Sequence, residues 1–243
     1  MKCPITRVDG SIYDVFDFRP EDVNIWEIAS ALSMMVRFGA RCPINWDVLS
    51  HVGLCYLLAK DDMAKTEPLS PELTAGILLH DAAEGYLWDV PSPLKMQEEM
   101  MFFKELEEAV LFNICTAFGV PYHDIPWDVV ARYDKQALHI EARAMFPQNS
   151  DTVKWCPEVY PMSKTYPLTK IFPSDWVGIA RDIAINSDSP YKAKLLAMPA
   201  VLEPYTDRLM RDQAQAAAAT KEAAVASKSF ERTDDSGVER LRV

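Results

Sequence analysis

Within the segment LLHDAAEGYLWDVPSPLK, residues 78–95, an imidazole and two carboxyl groups follow one another closely: His80, Asp81 and Glu84. At 3.6 residues per turn His80 and Glu84 share a helix face and Asp81 flanks both, so nitrogen and oxygen donors project into one small volume. Such a set suits a cation or the handling of a proton, and a solvated helix face is the bland alternative. The apolar run Ile77, Leu78 and Leu79 just before it argues against full exposure. Two residues elsewhere could complete a donor set. His51 is in phase with the apolar Val48, Val52 and Cys55, where a histidine reads either as a hydrogen-bonded core residue or as a ligand. Asp134 lies near Ala137 and Leu138, and a carboxylate turned toward a core costs several kcal/mol unless a cation or donors satisfy it.

The elements that must position these residues are helical. Ile25, Ile28, Ala29, Leu32, Met35 and Val36 recur at the spacing of one buried helical stripe, which predicts a first helix. A second, expected to be capped by Asn45, carries Val48, Val52, Cys55 and Ala59. Ser70 followed by Pro71 and Glu72 starts a third, expected over 71–87, and the two prolines of DVPSP at 89–93 force a turn. A long amphipathic helix is expected to end at Gly119 and another to run from near Pro126 to Pro147. Residues 147–173 read as irregular, and two shorter helices follow at 175–185 and 191–198. Strand alternation is scarce, so the fold class expected is all-α: a single helical bundle over 1–205. Residues 206–243, rich in alanine and charge with few large apolar side chains, read as a peripheral tail, a loosely attached helix or disorder.

Bulk properties narrow the functional classes. A net charge of −11 opposes a nucleic-acid polymer as partner while leaving room for a small anionic ligand in a locally basic pocket. No apolar run reaches the roughly 20 residues of a membrane span, and no secretory signal opens the chain, so a cytoplasmic protein is expected. Five scattered cysteines without a CxxC pair suggest buried small apolar residues rather than a disulfide framework or a structural zinc site.

A histidine, a His-Asp pair 29 residues later and an aspartate 53 residues beyond that form an ordered pattern that resembles the HD-domain metal-dependent phosphohydrolases. Three blocks carry the resemblance over about residues 15–146: ALSMMVRFGARCPINWDVLSH, HDAAEGYLWDVPSPLK and YDKQALHIEAR. They look like the branch of bacterial 5′-deoxynucleotidases and phage-encoded dATP/dNTP triphosphohydrolases. The resemblance implies an HD-type helical bundle holding one divalent transition metal (manganese, cobalt, iron, nickel or zinc) on His51, His80, Asp81 and Asp134. It further implies a deoxynucleotide substrate, Glu84 and Asp89 as the groups orienting water or handling a proton, and a homo-oligomer. Arg37 resembles the substrate-contacting arginine of an Arg-aromatic pair, here with Phe38, and Lys95 could add a point charge. Trp88 stands where relatives have glycine, and Ser50 where they have glutamate or glutamine; Trp46 and Trp88 read as base-stacking surfaces or as core.

Several residues keep two readings. Glu141, seven residues after Asp134, could support the site or form a structural ion pair. His139 falls about 140 degrees around the helix from Asp134, and His123 lies in a turn, so one metal is expected rather than two. Arg41 is expected at the surface. Release of triphosphate from a deoxynucleoside triphosphate is the expected reaction, with removal of one 5′-phosphate as the alternative. A catalytically silent nucleotide-binding module and a purely helical interaction protein are the competing classes.

Overall fold

Capping residues and prolines cut this chain into short helices that stack around one apolar centre. The computed structural model describes residues 3–63, 68–156 and 166–202. A small antiparallel hairpin, β1 (Pro4–Thr6) with β2 (Ile12–Asp14), precedes α1 (Ile25–Met34), α2 (Val48–Met63), α3 (Pro71–Leu79), α4 (Glu84–Leu87) and α5 (Ser92–Lys95). Then come α6 (Met101–Phe118), α7 (Trp127–Met145), α8 (Asp151–Trp155), α9 (Pro173–Asn186) and α10 (Lys192–Leu196). The fold is all-helical apart from that hairpin, as the periodicity predicts. The elements as far as Pro199 form one unit around a core that includes Ile25, Ile28, Leu32, Trp46, Leu49, Ile77, Leu79, Ile114, Phe118, Tyr133 and Trp176. No described helix is long and apolar enough to cross a membrane. The expected tail, 206–243, lies outside the described residues.

Local chemistry explains where the elements begin and end. Asn24 caps α1 by accepting from the amides of Trp26 and Glu27, and Ser70 caps α3 through the Leu73 amide. Gly119 closes α6 in the left-handed conformation at φ 71°, which glycine adopts without a Cβ penalty. Three expectations are corrected. The α1 stripe does not continue through Val36: the Met35 carbonyl receives the Val48 amide, the Arg37 amide bonds the Trp46 carbonyl, and Val36 pairs with Asp47. The α2 cap is not Asn45 but Asp47, whose carboxylate accepts the Ser50 amide at 2.8 Å. The helix expected over 71–87 is interrupted after Leu79. There the His80 ring Nδ1–H donates to the Ile77 carbonyl, an acceptor that an uninterrupted helix gives to the Asp81 amide. Residues 79–86 instead close through i to i−3 bonds, and α4 packs against α1.

The clip between 35–37 and 46–48 delivers Arg37 to the start of α2, while α2 packs on both α3 and α7. Three successive residues after Arg37 are left-handed, Phe38 (φ 57°), Gly39 (φ 59°) and Ala40 (φ 59°), a turn that costs roughly 1–2 kcal/mol at each non-glycine position. Gly76 lets α3 approach α7: a Cβ there would run into the side chains of Ile125 and Val130. Gly76→Ala should therefore destabilise the protein by about 1–3 kcal/mol through overpacking, read as a lower melting temperature. An unchanged melting temperature would mean that α3 and α7 do not meet at this position.

Candidate functional site

Three elements bring the sequence-selected side chains together: α2 supplies His51, the turn after α3 supplies His80 and Asp81, and α7 supplies Asp134 and Glu141. Arg37 joins from the clip. His51 is fully buried. Its Nδ1–H donates to Glu141 Oε1 at 2.7 Å, while its Nε2 lies 3.0 Å from Asp134 Oδ1 and 3.9 Å from Asp81 Oδ2. The His51 and His80 ring centres are 5.6 Å apart. With its Nδ1–H given to the Ile77 carbonyl, His80 turns Nε2 toward the cluster, where Asp81 outweighs burial and raises the ring well above the ordinary histidine value. That atom is buried without a hydrogen-bond partner, 3.3 Å from Asp81 Oδ2. Asp134 keeps 41% of its side chain exposed, so it forms an open edge of the cluster rather than lying on the buried side of its helix.

Glu141 resolves both of its sequence readings at once. Fully buried, it accepts from Arg37 Nε at 3.0 Å, Trp46 Nε1 at 2.8 Å and His51 Nδ1, so it is an ion-pair partner and also the group that fixes the tautomer of His51. Burial alone would raise its pKa, but Arg37 and His51 outweigh burial and hold it below the usual carboxyl range. Trp46 is thereby core, 1% exposed. His139 is buried elsewhere, with Nδ1 bonded to the Cys156 carbonyl, and His123 sits in an exposed turn among Phe112 and Tyr122. Arg41 is exposed, as expected.

Glu84, Asp89 and Lys95 border the cluster on the α4 side. Lys95 Nζ is held between Glu84 Oε1 at 2.9 Å and Glu107 Oε1 at 2.5 Å, while Glu84 Oε2 is buried with no partner. Burial, then Asp81, push the Glu84 carboxyl up to about 8 against the pull of Lys95. Burial likewise raises Asp89, opposed by Arg37 and aided by Asp81. Asp81 itself lies well below the usual range because His80, His51 and Arg37 overcome its burial. Burial and Arg37 disfavour a charge on His51, yet Cys55, Glu141 and Asp134 prevail and raise it well above the ordinary histidine value.

Phe38 packs edge-on against Phe146, with ring centres 5.2 Å apart. Trp88 is 69% exposed and sits at φ 82°, a backbone conformation that an L side chain rarely adopts and glycine adopts freely. Trp88 and Glu84 also line a cavity of about 600 Å³ whose other walls include Tyr13, Met34, Met35 and Leu87.

Cys55 is the residue that sequence reading missed. Taken as a small core residue, it lies one turn after His51, with Sγ 3.5 Å from His51 Nε2, and the ligand atoms of His51, Cys55 and His80 all lie within 4.8 Å of one another. The i, i+4 spacing of His51 and Cys55 was the available signal.

The chain matches no protein-family model. It is similar to a protein of Escherichia coli K12 described as uncharacterized protein YfdR, 31% identical over 101 residues. That match covers 42% of this chain, and the chain spans half the length of the relative.

The charge on Glu84 can be tested directly. Its folded pKa is raised from 4.5 to about 8, so the folded state holds a proton that the unfolded chain releases. The resulting stabilisation is full below 4.5 and is lost as pH rises toward about 8. Glu84→Gln should therefore gain stability over the wild type by up to a few kcal/mol, the gain growing across that window. Thermal melts of both proteins over the pH range check this, and a gap that does not change with pH contradicts it.

Proposed function

We propose that this chain is a metal-dependent phosphohydrolase of the HD type that acts on deoxynucleotides. The observation that carries the reading is the state of His51. With Nδ1–H given to Glu141, a neutral ring must turn its Nε2 lone pair toward the oxygen of Asp134 at 3.0 Å, so that space calls for a positive charge. A proton supplies it in the free protein. A divalent transition ion fits the same place, because the buried Nε2 of His80, with no hydrogen-bond partner, can offer its lone pair beside it, and Asp81 Oδ2 is 3.3 Å from that nitrogen. A carboxylate that orients a ligating histidine through its other nitrogen is the usual support of such sites.

His51, His80, Asp81 and Asp134 would hold the ion, which, when bound, supplies Lewis acidity toward a phosphoryl oxygen and lowers the pKa of a bound water. The protein's own groups divide the remaining work. Glu84, with one oxygen unpartnered and a pKa near neutrality, is suited to take or give a proton. Asp89 shares that acidic side, and Lys95 fixes the position of Glu84 while lending it positive charge. Arg37 presents a guanidinium beside Asp81, 4.0 Å from Nη1 to Oδ2, where a phosphate oxygen could replace solvent. Phe38 braces the turn that follows Arg37. The cavity behind Glu84 and Trp88 has the size and apolar walls that suit a nucleoside. A homo-oligomer and a cytoplasmic setting belong to this same reading.

Release of triphosphate is the leading form of the reaction. A second form, removal of one 5′-phosphate, is favoured by the state of the described cations: both Arg37 and Lys95 are already engaged with carboxylates, which leaves little charge for three phosphates. Incubating the protein and manganese or cobalt with each deoxynucleotide, then identifying the phosphate species released, separates the two. We expect triphosphate from a deoxynucleoside triphosphate, and turnover reduced about 100-fold or more in Glu84→Gln. Orthophosphate from monophosphates alone would select the second form, and nucleotide binding without turnover would favour a silent module.

A further inference from the structure

Cys55 is 1% exposed, yet its sulfur is not wrapped in carbon. It faces the Nε2 of His51 at 3.5 Å, shares a 4.8 Å neighbourhood with the donor atoms of His51 and His80, and meets the Tyr133 carbonyl only at 3.8 Å. A thiol at this distance can hydrogen-bond an imidazole nitrogen, but packing alone does not call for two imidazoles around it. The spacing has a simple reading. Around a tetrahedral ion with a metal–sulfur bond of about 2.3 Å and metal–nitrogen bonds of about 2.0 Å, neighbouring sulfur and nitrogen ligands lie about 3.5 Å apart. The separation found here is that edge. The buried, partnerless Nε2 of His80 is the second sign that the space between these groups is made for an ion.

We propose that Cys55 is a thiolate ligand of the metal centre, which makes the site a mixture of two imidazoles, one sulfur and carboxylates. The inference rests on the metal reading above. Binding forms a sulfur–metal bond and releases the thiol proton to solvent, so the ion and the proton compete for the same sulfur. A soft sulfur donor shifts preference away from manganese and magnesium, which oxygen ligands suit, toward zinc and cobalt.

Cobalt(II) added to the full-length, chelator-stripped protein tests the proposal optically. Visible ligand-field bands report cobalt in the site, and a near-ultraviolet thiolate-to-cobalt charge-transfer band reports a sulfur ligand. We expect both in the wild type, loss of the charge-transfer band alone in Cys55→Ser, and its survival when Cys3, Cys42, Cys115 and Cys156 are all replaced by alanine. Cobalt bound with ligand-field bands but no charge-transfer band, or a band that survives Cys55→Ser, overturns the thiolate and leaves the metal reading standing. No bound cobalt overturns both. Should Cys55→Ser fail to fold by circular dichroism, the wild-type spectrum and the variant retaining Cys55 alone still decide the matter.

Discussion

The buried carboxylate of Glu141 is the constraint from which the site follows. A charge at zero exposure is tolerable only when its oxygens are filled, and here three donors fill them: Arg37, Trp46 and His51. Each of those bonds fixes something else. The bond to Trp46 ties the carboxylate to the clip two residues before α2, the bond to Arg37 sets the guanidinium beside Asp81, and the bond to His51 decides which nitrogen of that ring faces inward. Replacing only one partner would strand the others without solvent, so the helices α2 and α7 are locked in register by polar chemistry as well as by packing.

The charge balance of the cluster then has a definite sign. Among the described residues, the carboxyl groups of Asp81, Glu84, Asp89, Asp134 and Glu141 gather around Arg37 and Lys95, so negative charge is in excess even with both lysine and arginine counted. The structure answers this excess in two ways. Glu84 and Asp89 are pushed toward holding their protons, and His51 and His80 are pulled toward gaining them. Protons thus occupy positions that a divalent ion would relieve, so the proposed metal binding would depend on pH, and Glu84 is left poised near neutrality. The left-handed run at Phe38, Gly39 and Ala40 and the positive φ of Trp88 lie at the rim of the same cluster, where backbone strain commonly accompanies function.

Much of this was legible in the residues. Helical periodicity and the Ser70-Pro71 start placed the main helices well, because caps and apolar stripes are local signals. Convergence of His51, the His80-Asp81 pair and Asp134 was expected from their order along the chain, which resembles a known pattern. Other features depend on partners distant in sequence. The break after Leu79 arises from a side chain competing with its own backbone. The clip that ends α1 pairs residues nine to thirteen apart. Asp134 was assigned to a buried face by its neighbours on α7, whereas the geometry leaves it at an open edge. Cys55 was hidden because a cysteine among apolar residues looks like packing until a second helix brings His80 against it.

The proposed chemistry depends on one cation between the Nε2 atoms of His51 and His80. Anomalous X-ray scattering from crystals of the protein grown with cobalt or manganese, collected at the absorption edge of that metal, locates it without reference to activity. The account predicts a single strong peak within bonding distance of both nitrogens and of Asp81 and Asp134 oxygens, abolished in His51→Ala. A peak elsewhere, or ordered His51 and His80 rings with no peak between them under saturating metal, would contradict it.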